Sequence, residues 1–243
     1  YMVDLASFEI LPGVYDLALM DRLMNAAADR GIGVTVRLSH VDQKAPYRWL
    51  PFSRQYSYDN TEIYNHYYGG YSSVHPEYVA AWKRANRALF DRYRKHPAFQ
   101  GYYLMMSSGE YSAVSDMPWL GIVAGYAHCT KQAFRDWLQA EADYALADVN
   151  GRWGTDYDEW SQVQPPLPDF TTATRPDMRV RWLDFCRFKA YLNGAYWFQT
   201  MAEHIRRFDE DRVIIIYGLT GREISGRLAE LAMYGIASAR KHA

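Results

Sequence analysis

Residues 33–46 read GVTVRLSHVDQKAP, and the residues just after the apolar run decide the fold. Gly33 to Leu38 is rich in β-branched residues and continuous, which predicts a strand covered on both faces. A doubly wound nucleotide-binding sheet would prefer a glycine-rich phosphate turn directly after such a strand. Here the chain leaves through Ser39, His40 and VDQKAP instead. The earlier candidate strand, Tyr1 to Phe8, leads only into FEILPGVYD. Between Ser39 and His75 lies a long segment that contains WLPFSRQYSYDNTEIYNHYYGGYSS. Loops of that length are functional or disordered, and its many rings argue against disorder. Long loops beyond strand C-termini are what a (β/α)8 TIM barrel requires.

Outward from this stretch, short apolar strands alternate with long amphipathic helices. Met20, Leu23, Met24 and Ala27 fall at helical spacing, and Gly31 ends that helix. Pro76 opens another helix at its first-turn position, with Trp82, Ala85, Leu89 and Tyr93 as its buried stripe. Phe99 to Met106 is a third strand. Lys131 to Ala147 reads as one helical region, and Asn150 to Asp177 as an ordered excursion rich in Trp, Pro and Asp. Arg179 to Phe208 reads as one long helix with Phe185, Phe188, Leu192, Ala195 and Tyr196 on its apolar face. Arg212 to Tyr217 is a strand, Ser225 to Met233 a helix, and Gly235 to Ala239 a final strand. This order implies a parallel sheet with crossover helices. A barrel closes with eight strands and five are named here, so a partial barrel is expected, an excerpt of a longer chain, with residues 1–243 forming one domain.

The totals narrow the function. The chain has 243 residues and a formal net charge of -1. No basic surplus points to nucleic acid, and no run of about 18 apolar residues predicts a membrane span. There are 21 Tyr, 8 Trp and 10 Phe. Such rings fill cores, and Tyr and Trp also line clefts where a flat ring stacks on a sugar. Cys129 and Cys186 form neither a CxxC pair nor a disulfide framework. His66, His75, His96 and His128 match no metal motif, and no serine sits in a GxSxG elbow. No cofactor and no metal are expected. The sequence leaves localisation open.

One carboxylate stands out. Gly101 to Ser112 reads GYYLMMSSGEYS, a buried strand that runs into a small-residue turn carrying Glu110. That is the end of a barrel strand at which catalysis occurs. A glutamate enclosed by Tyr102, Tyr103, Tyr111 and Trp119 would lose solvation and its pKa would rise, which suits a general acid that protonates a glycosidic oxygen. The bland alternative is a surface-loop acid. Arg37 and His40, at the end of the second strand, are candidates to hold a carboxylate or a sugar hydroxyl. Asp4, within the first strand, is a candidate lumen acid.

The order of segments resembles the catalytic barrel of glycoside hydrolase family 42, the bacterial β-galactosidases of clan A. FEILPGVYDLALMDRLMNAAADRGIGVTV is similar to that family's strand, "EPxxGxYDF" and "GI.V" segments. HPEYVAAWKRANRALFDRYRKHPAFQGYYL, CTKQAFRDWLQAE, NGRWGTDYDEWSQVQPPLP and RWLDFCRFKAYL succeed it in the family's order. The resemblance implies that the chain holds strands two to six and that Glu110 is the acid/base glutamate after strand four. It implies a nucleophile after strand seven, outside this chain, and a sugar site lined by Arg37, His40, Trp49, Tyr111, Trp119 and Tyr217. The implied partner is an oligosaccharide or glycoside substrate, with a homo-oligomer left open. The chain departs from the family at two places. Gly109 occupies the place of the family's asparagine, a "GE" pairing similar to that of inverting β-amylases. Cys129 alone remains of the family's zinc-binding cysteines. Retaining hydrolysis, inverting or otherwise divergent hydrolysis, and carbohydrate binding without hydrolysis therefore all stay open.

Overall fold

The computed structural model describes residues 2–4, 9–39, 56–60, 72–104, 125–167 and 176–216. Its centre is a four-stranded sheet of β1 (Met2–Asp4), β4 (Val34–Ser39), β5 (Phe99–Leu104) and β6 (Val213–Ile216). Every neighbouring pair is parallel, and the spatial order equals the order along the chain. A doubly wound sheet reverses its order at a switch point. This one does not. Strands laid down one after another, with their helices on one face, form the wall of a (β/α)8 barrel. The expected helix and strand beyond Tyr217 lie outside the described residues.

The helix layer packs on one face of that wall. Helices α1 (Ala18–Ala28), α2 (Pro76–Tyr93) and α6 (Trp197–Arg206) bury Met20, Met24, Trp82, Leu89, Trp197 and Met201 against Val36, Tyr102 and Leu104. Pro76 sits at the first-turn position of α2, after an extended His75. Trp82, Ala85, Leu89 and Tyr93 are all buried, as their spacing predicts. Asp21 of α1 ties the first two helices together. Its carboxylate accepts hydrogen bonds from Arg92 (Nε at 3.1 Å, Nη2 at 2.7 Å) and from the Tyr93 hydroxyl at 2.8 Å.

The bonds from Arg92, and then from Tyr93, hold the Asp21 carboxyl below its ordinary pKa. A carboxylate whose pKa is lower in the folded state adds stability above its unfolded value, near 3.9, and loses it as pH falls through the folded value. The Asp21 side chain is 29% exposed, so solvent screens the pairing. Asp21→Asn is expected to lower stability by about 1 kcal/mol at pH 7. Urea melts at falling pH should show that gap closing once both carboxyl states are protonated. A gap independent of pH would mean that the ion pair contributes nothing.

A second core contains, among the described residues, no strand residue. Helices α3 (His128–Ala140), α4 (Leu146–Trp153) and α5 (Pro176–Tyr191) close around Phe134, Trp137, Trp153, Phe185 and Phe188. Asp184 is fully buried at its centre. It accepts from Trp153 Nε1 at 2.9 Å and Tyr144 Oη at 3.5 Å, and the guanidiniums of Arg187 and Arg152 lie at 3.5 and 3.7 Å.

The helix expected over Lys131–Ala147 is in fact two. It stops at Ala140, and Asp143 takes the left-handed conformation (φ 55°) that aspartate tolerates. Asp148 then accepts the Ala145 N–H at 2.8 Å and starts α4. The helix expected over Arg179–Phe208 runs from Pro176 to Arg206, but a π-helical turn at Leu192–Tyr196 interrupts it. One extra residue rotates everything after it by about 100°. Phe185 and Phe188 therefore face the second core, while Trp197, Met201 and Ile205 face the sheet.

An antiparallel hairpin that the sequence did not signal, β2 (Glu9–Leu11) with β3 (Val14–Tyr15), comes after β1. Gly13 makes its turn at φ 78°. Its N–H donates to Glu9 Oε1 at 2.8 Å, and Arg84 Nη2 of α2 reaches the same oxygen at 3.1 Å. The buried Glu9 thus pins the hairpin to the helix layer.

Candidate active site at the strand C-termini

Because all four strands run parallel, their C-terminal ends lie on one side of the sheet. In the sequence, the strands are followed by the hairpin and by residues 40–75, 105–127 and 217 onward. Side chains alternate along each strand, and burial shows which way they go. Val36, Tyr102 and Leu104 enter the helix-packed core. Arg37 and Tyr103 take the opposite, lumen face and are only partly buried. The Arg37 guanidinium lies over the Tyr103 ring, 5.7 Å from its centroid. Register pairs Val36 with Tyr102 and Tyr103 with Ile215, so Arg37 and Tyr103 stand level on the lumen wall near its C-terminal end.

Tyr102 corrects one expectation. It does not enclose the lumen: it is 1% exposed on the helix face, and its hydroxyl donates to Asp209 Oδ2 at 2.9 Å. Burial, and then that bond, raise its pKa. Tyr103 keeps the lumen position. Its cross-strand contact with Arg37 had no signal in the local sequence beyond the two-residue period.

Among the expected site residues, Arg37 is the one that falls within the described structure. His40 directly follows β4, Tyr217 directly follows β6, and Glu110 with Tyr111 and Trp119 falls in the segment after β5; these and Trp49 lie outside the described residues. Asp4 is the last residue of β1, paired in register with Ser39. The buried carboxylates that are described are Glu9, Asp184 and Asp209. Each lies against a guanidinium: Arg84 at 3.1 Å, Arg187 at 3.5 Å and Arg212 at 3.3 Å, respectively. Acids held this way anchor one element to another. Cys129 and Cys186 are partly buried and are not joined in a disulfide. Among the described residues no group of three His, Cys, Asp or Glu side chains is placed to hold a metal ion. No helix among them is long and apolar enough to cross a membrane.

An arc of parallel strands with its helices on one face, and with Arg37 and Tyr103 on the lumen face, defines a (β/α)8 barrel protein. Residues 6–225 match the profile of glycoside hydrolase family 42, described as Beta-galactosidase, and the chain belongs to that family. It is 24% identical over 184 residues to the β-galactosidase bgaB of Geobacillus kaustophilus, covering 72% of this chain and 25% of that protein. It is 30% identical over 128 residues to the β-galactosidase BglY of Alicyclobacillus acidocaldarius, covering 46% and 16%. The chain thus spans about a quarter or less of those relatives.

Solved structures agree on the fold. A β-galactosidase from the psychrophilic Marinomonas ef1 superposes with a TM-score of 0.66 at 19% identity, over 88% of this chain and 32% of that one. The catalytic domain of a β-amylase from Paenibacillus polymyxa superposes with a TM-score of 0.63 at 14% identity, over 88% and 57%.

Proposed function

We propose that the protein carrying this chain hydrolyses β-linked galactosides by a retaining mechanism, with Glu110 as general acid and then general base. The observation that carries this reading is the family match over residues 6–225, in which Glu110 comes six residues after the end of the parallel strand β5 in the sequence. The chemistry needs little else from this segment. Glu110 protonates the departing glycosidic oxygen while a second carboxylate, outside this chain, attacks the anomeric carbon. The deprotonated Glu110 then takes a proton from water as that water releases the sugar. Arg37, His40, Trp49, Tyr111, Trp119 and Tyr217 would surround the sugar. Arg37 suits that role, because stacking on Tyr103 limits the motion of its guanidinium, whose planar fork hydrogen-bonds hydroxyls or a carboxylate directionally. We also propose that residues 1–243 belong to one domain, since a single helical rod, α5 through α6, threads both cores.

A second reading is inverting hydrolysis. Gly109 before Glu110 favours it, because the family's asparagine there is absent. The two mechanisms differ in carboxyl separation, about 5–5.5 Å for retention and about 6.5–9.5 Å for inversion. The test is turnover of nitrophenyl β-galactoside by the full-length protein, followed by NMR of the fresh product. β-Galactose first supports retention, and α-galactose first supports the second reading. No release from any aryl β-glycoside would overturn both.

A further inference from the structure

A groove runs between α3 and the π turn, and among the described residues no strand residue lines it. It is formed by two adjoining cavities of about 480 and 220 Å³ that share Glu141, Tyr191 and Tyr196. The larger alone is within the size range of small-molecule sites. Trp137 and Phe188 form its floor. Tyr191 and Tyr196 stand partly exposed in its wall, ring centroids 6.4 Å apart and planes tilted by 44°.

The π turn creates that tyrosine pair. In a regular α-helix the residue one turn after Tyr191 would be Ala195. The Trp197 N–H instead bonds to the Leu192 carbonyl, five residues back, and the wider turn sends Ala195 inward and Tyr196 into the groove. π-Bulges of this kind recur at functional sites.

The rim repeats one chemical pattern on both walls. On α3, Gln132 Nε2 donates to Asp136 Oδ1 at 2.8 Å, and on α6, Gln199 Nε2 donates to Glu203 Oε1 at 2.8 Å. Gln132 Oε1 also accepts from Arg135 Nη2 at 2.7 Å, and each pair, exposed or partly exposed, keeps carboxylate acceptor positions toward water. Among the described residues no lysine or arginine lines either cavity. Flat rings flanked by carboxylate and amide groups, with His128 the one basic side chain among the described lining residues, suit a neutral ligand with many hydroxyl donors and an apolar C–H face. They do not suit a phosphate or a carboxylate.

We infer that this groove binds a neutral β-linked oligosaccharide chain, its rings stacked on Tyr191 and Tyr196 and its hydroxyls bonded to the rim. The choice of galactan rests on the proposed function above; the stacking site does not. The probe is a soluble β-galactan, with affinity gel electrophoresis of the full-length protein carrying Glu110→Gln, so that the polymer is not cut. Adding Tyr191→Ala and Tyr196→Ala together is expected to weaken binding about tenfold or more. The corresponding pair of phenylalanine replacements keeps the rings and should restore it. In the Glu110-intact protein the alanine pair should leave kcat/KM for nitrophenyl β-galactoside within about twofold.

Galactan affinity unchanged by the alanine pair overturns the site. So does a loss that the phenylalanine pair fails to restore. A fall in sedimentation coefficient with sugar binding intact would mean that a second copy of the chain occupies the groove, which overturns it too. Absent aryl galactoside turnover would fail the hydrolase reading alone, because the gel still reports the groove.

Discussion

Glu110→Gln is expected to lower turnover of a galactosyl disaccharide by roughly 10²–10⁴-fold, the range that a positioned proton donor supplies. That corresponds to about 2.7–5.4 kcal/mol of transition-state stabilisation. A disaccharide leaves as an alkoxide unless it is protonated in flight, so the whole loss should appear with this substrate. Dinitrophenyl β-galactoside leaves without a proton, and its bond cleavage should be nearly unaffected. In a retaining enzyme the variant then stalls as the covalent galactosyl intermediate, because no base activates water. Azide needs no base, so it should restore turnover and give β-galactosyl azide. An inverting enzyme has no such intermediate, and azide should not restore it. Full activity of Glu110→Gln on the disaccharide would remove Glu110 from the mechanism.

The fold was legible where local chemistry and tertiary packing agree. Pro76 and the stripe Trp82, Ala85, Leu89, Tyr93 mark α2 because helix periodicity and burial coincide there. Val34 to Ser39 was legible for the same reason. The features that escaped depend on distant partners or on single-residue shifts. The hairpin strands of two and three residues are too short to show a period, and their anchor, Arg84, lies 75 residues from Glu9. The break at Asp143 rests on one left-handed residue in a helix-forming stretch. The π turn adds one residue to a pattern otherwise regular, so an apolar face that reads as continuous serves two cores. At the site, strand position placed Arg37 near the lumen end. Alternation, applied strictly, would have assigned Tyr103 to the lumen and Tyr102 to the core from sequence alone.

Gly101→Val is expected to be the most destabilising single substitution in the sheet. Gly101 lies between two partners, Thr35 of β4 and Val213 of β6. Register slips there: Phe99 pairs with Val34 and Gly101 with Thr35, so Gln100 is the extra residue of a bulge. The backbone at Gly101 has φ 151°, which side chains rarely adopt, and a Cβ would overlap the backbone carbonyl of Val213. That obstacle is main chain and cannot rotate away. Strain of about 1–3 kcal/mol for the dihedral and of similar size for overpacking sum to about 3–6 kcal/mol. Against a typical domain stability of about 5–15 kcal/mol this removes a large share. Urea unfolding should show a much lower midpoint with an unchanged slope. Activity should fall with the folded fraction, since β5 is the strand that leads to Glu110. Gly151→Ala is the matched control. Gly151 sits inside α4 with nothing within 4 Å of an added Cβ, so alanine there should raise stability by about 0.5–1 kcal/mol. If Gly101→Val melts at the wild-type midpoint while Gly151→Ala shifts as stated, then β5 and β6 do not approach as closely as the bulge requires.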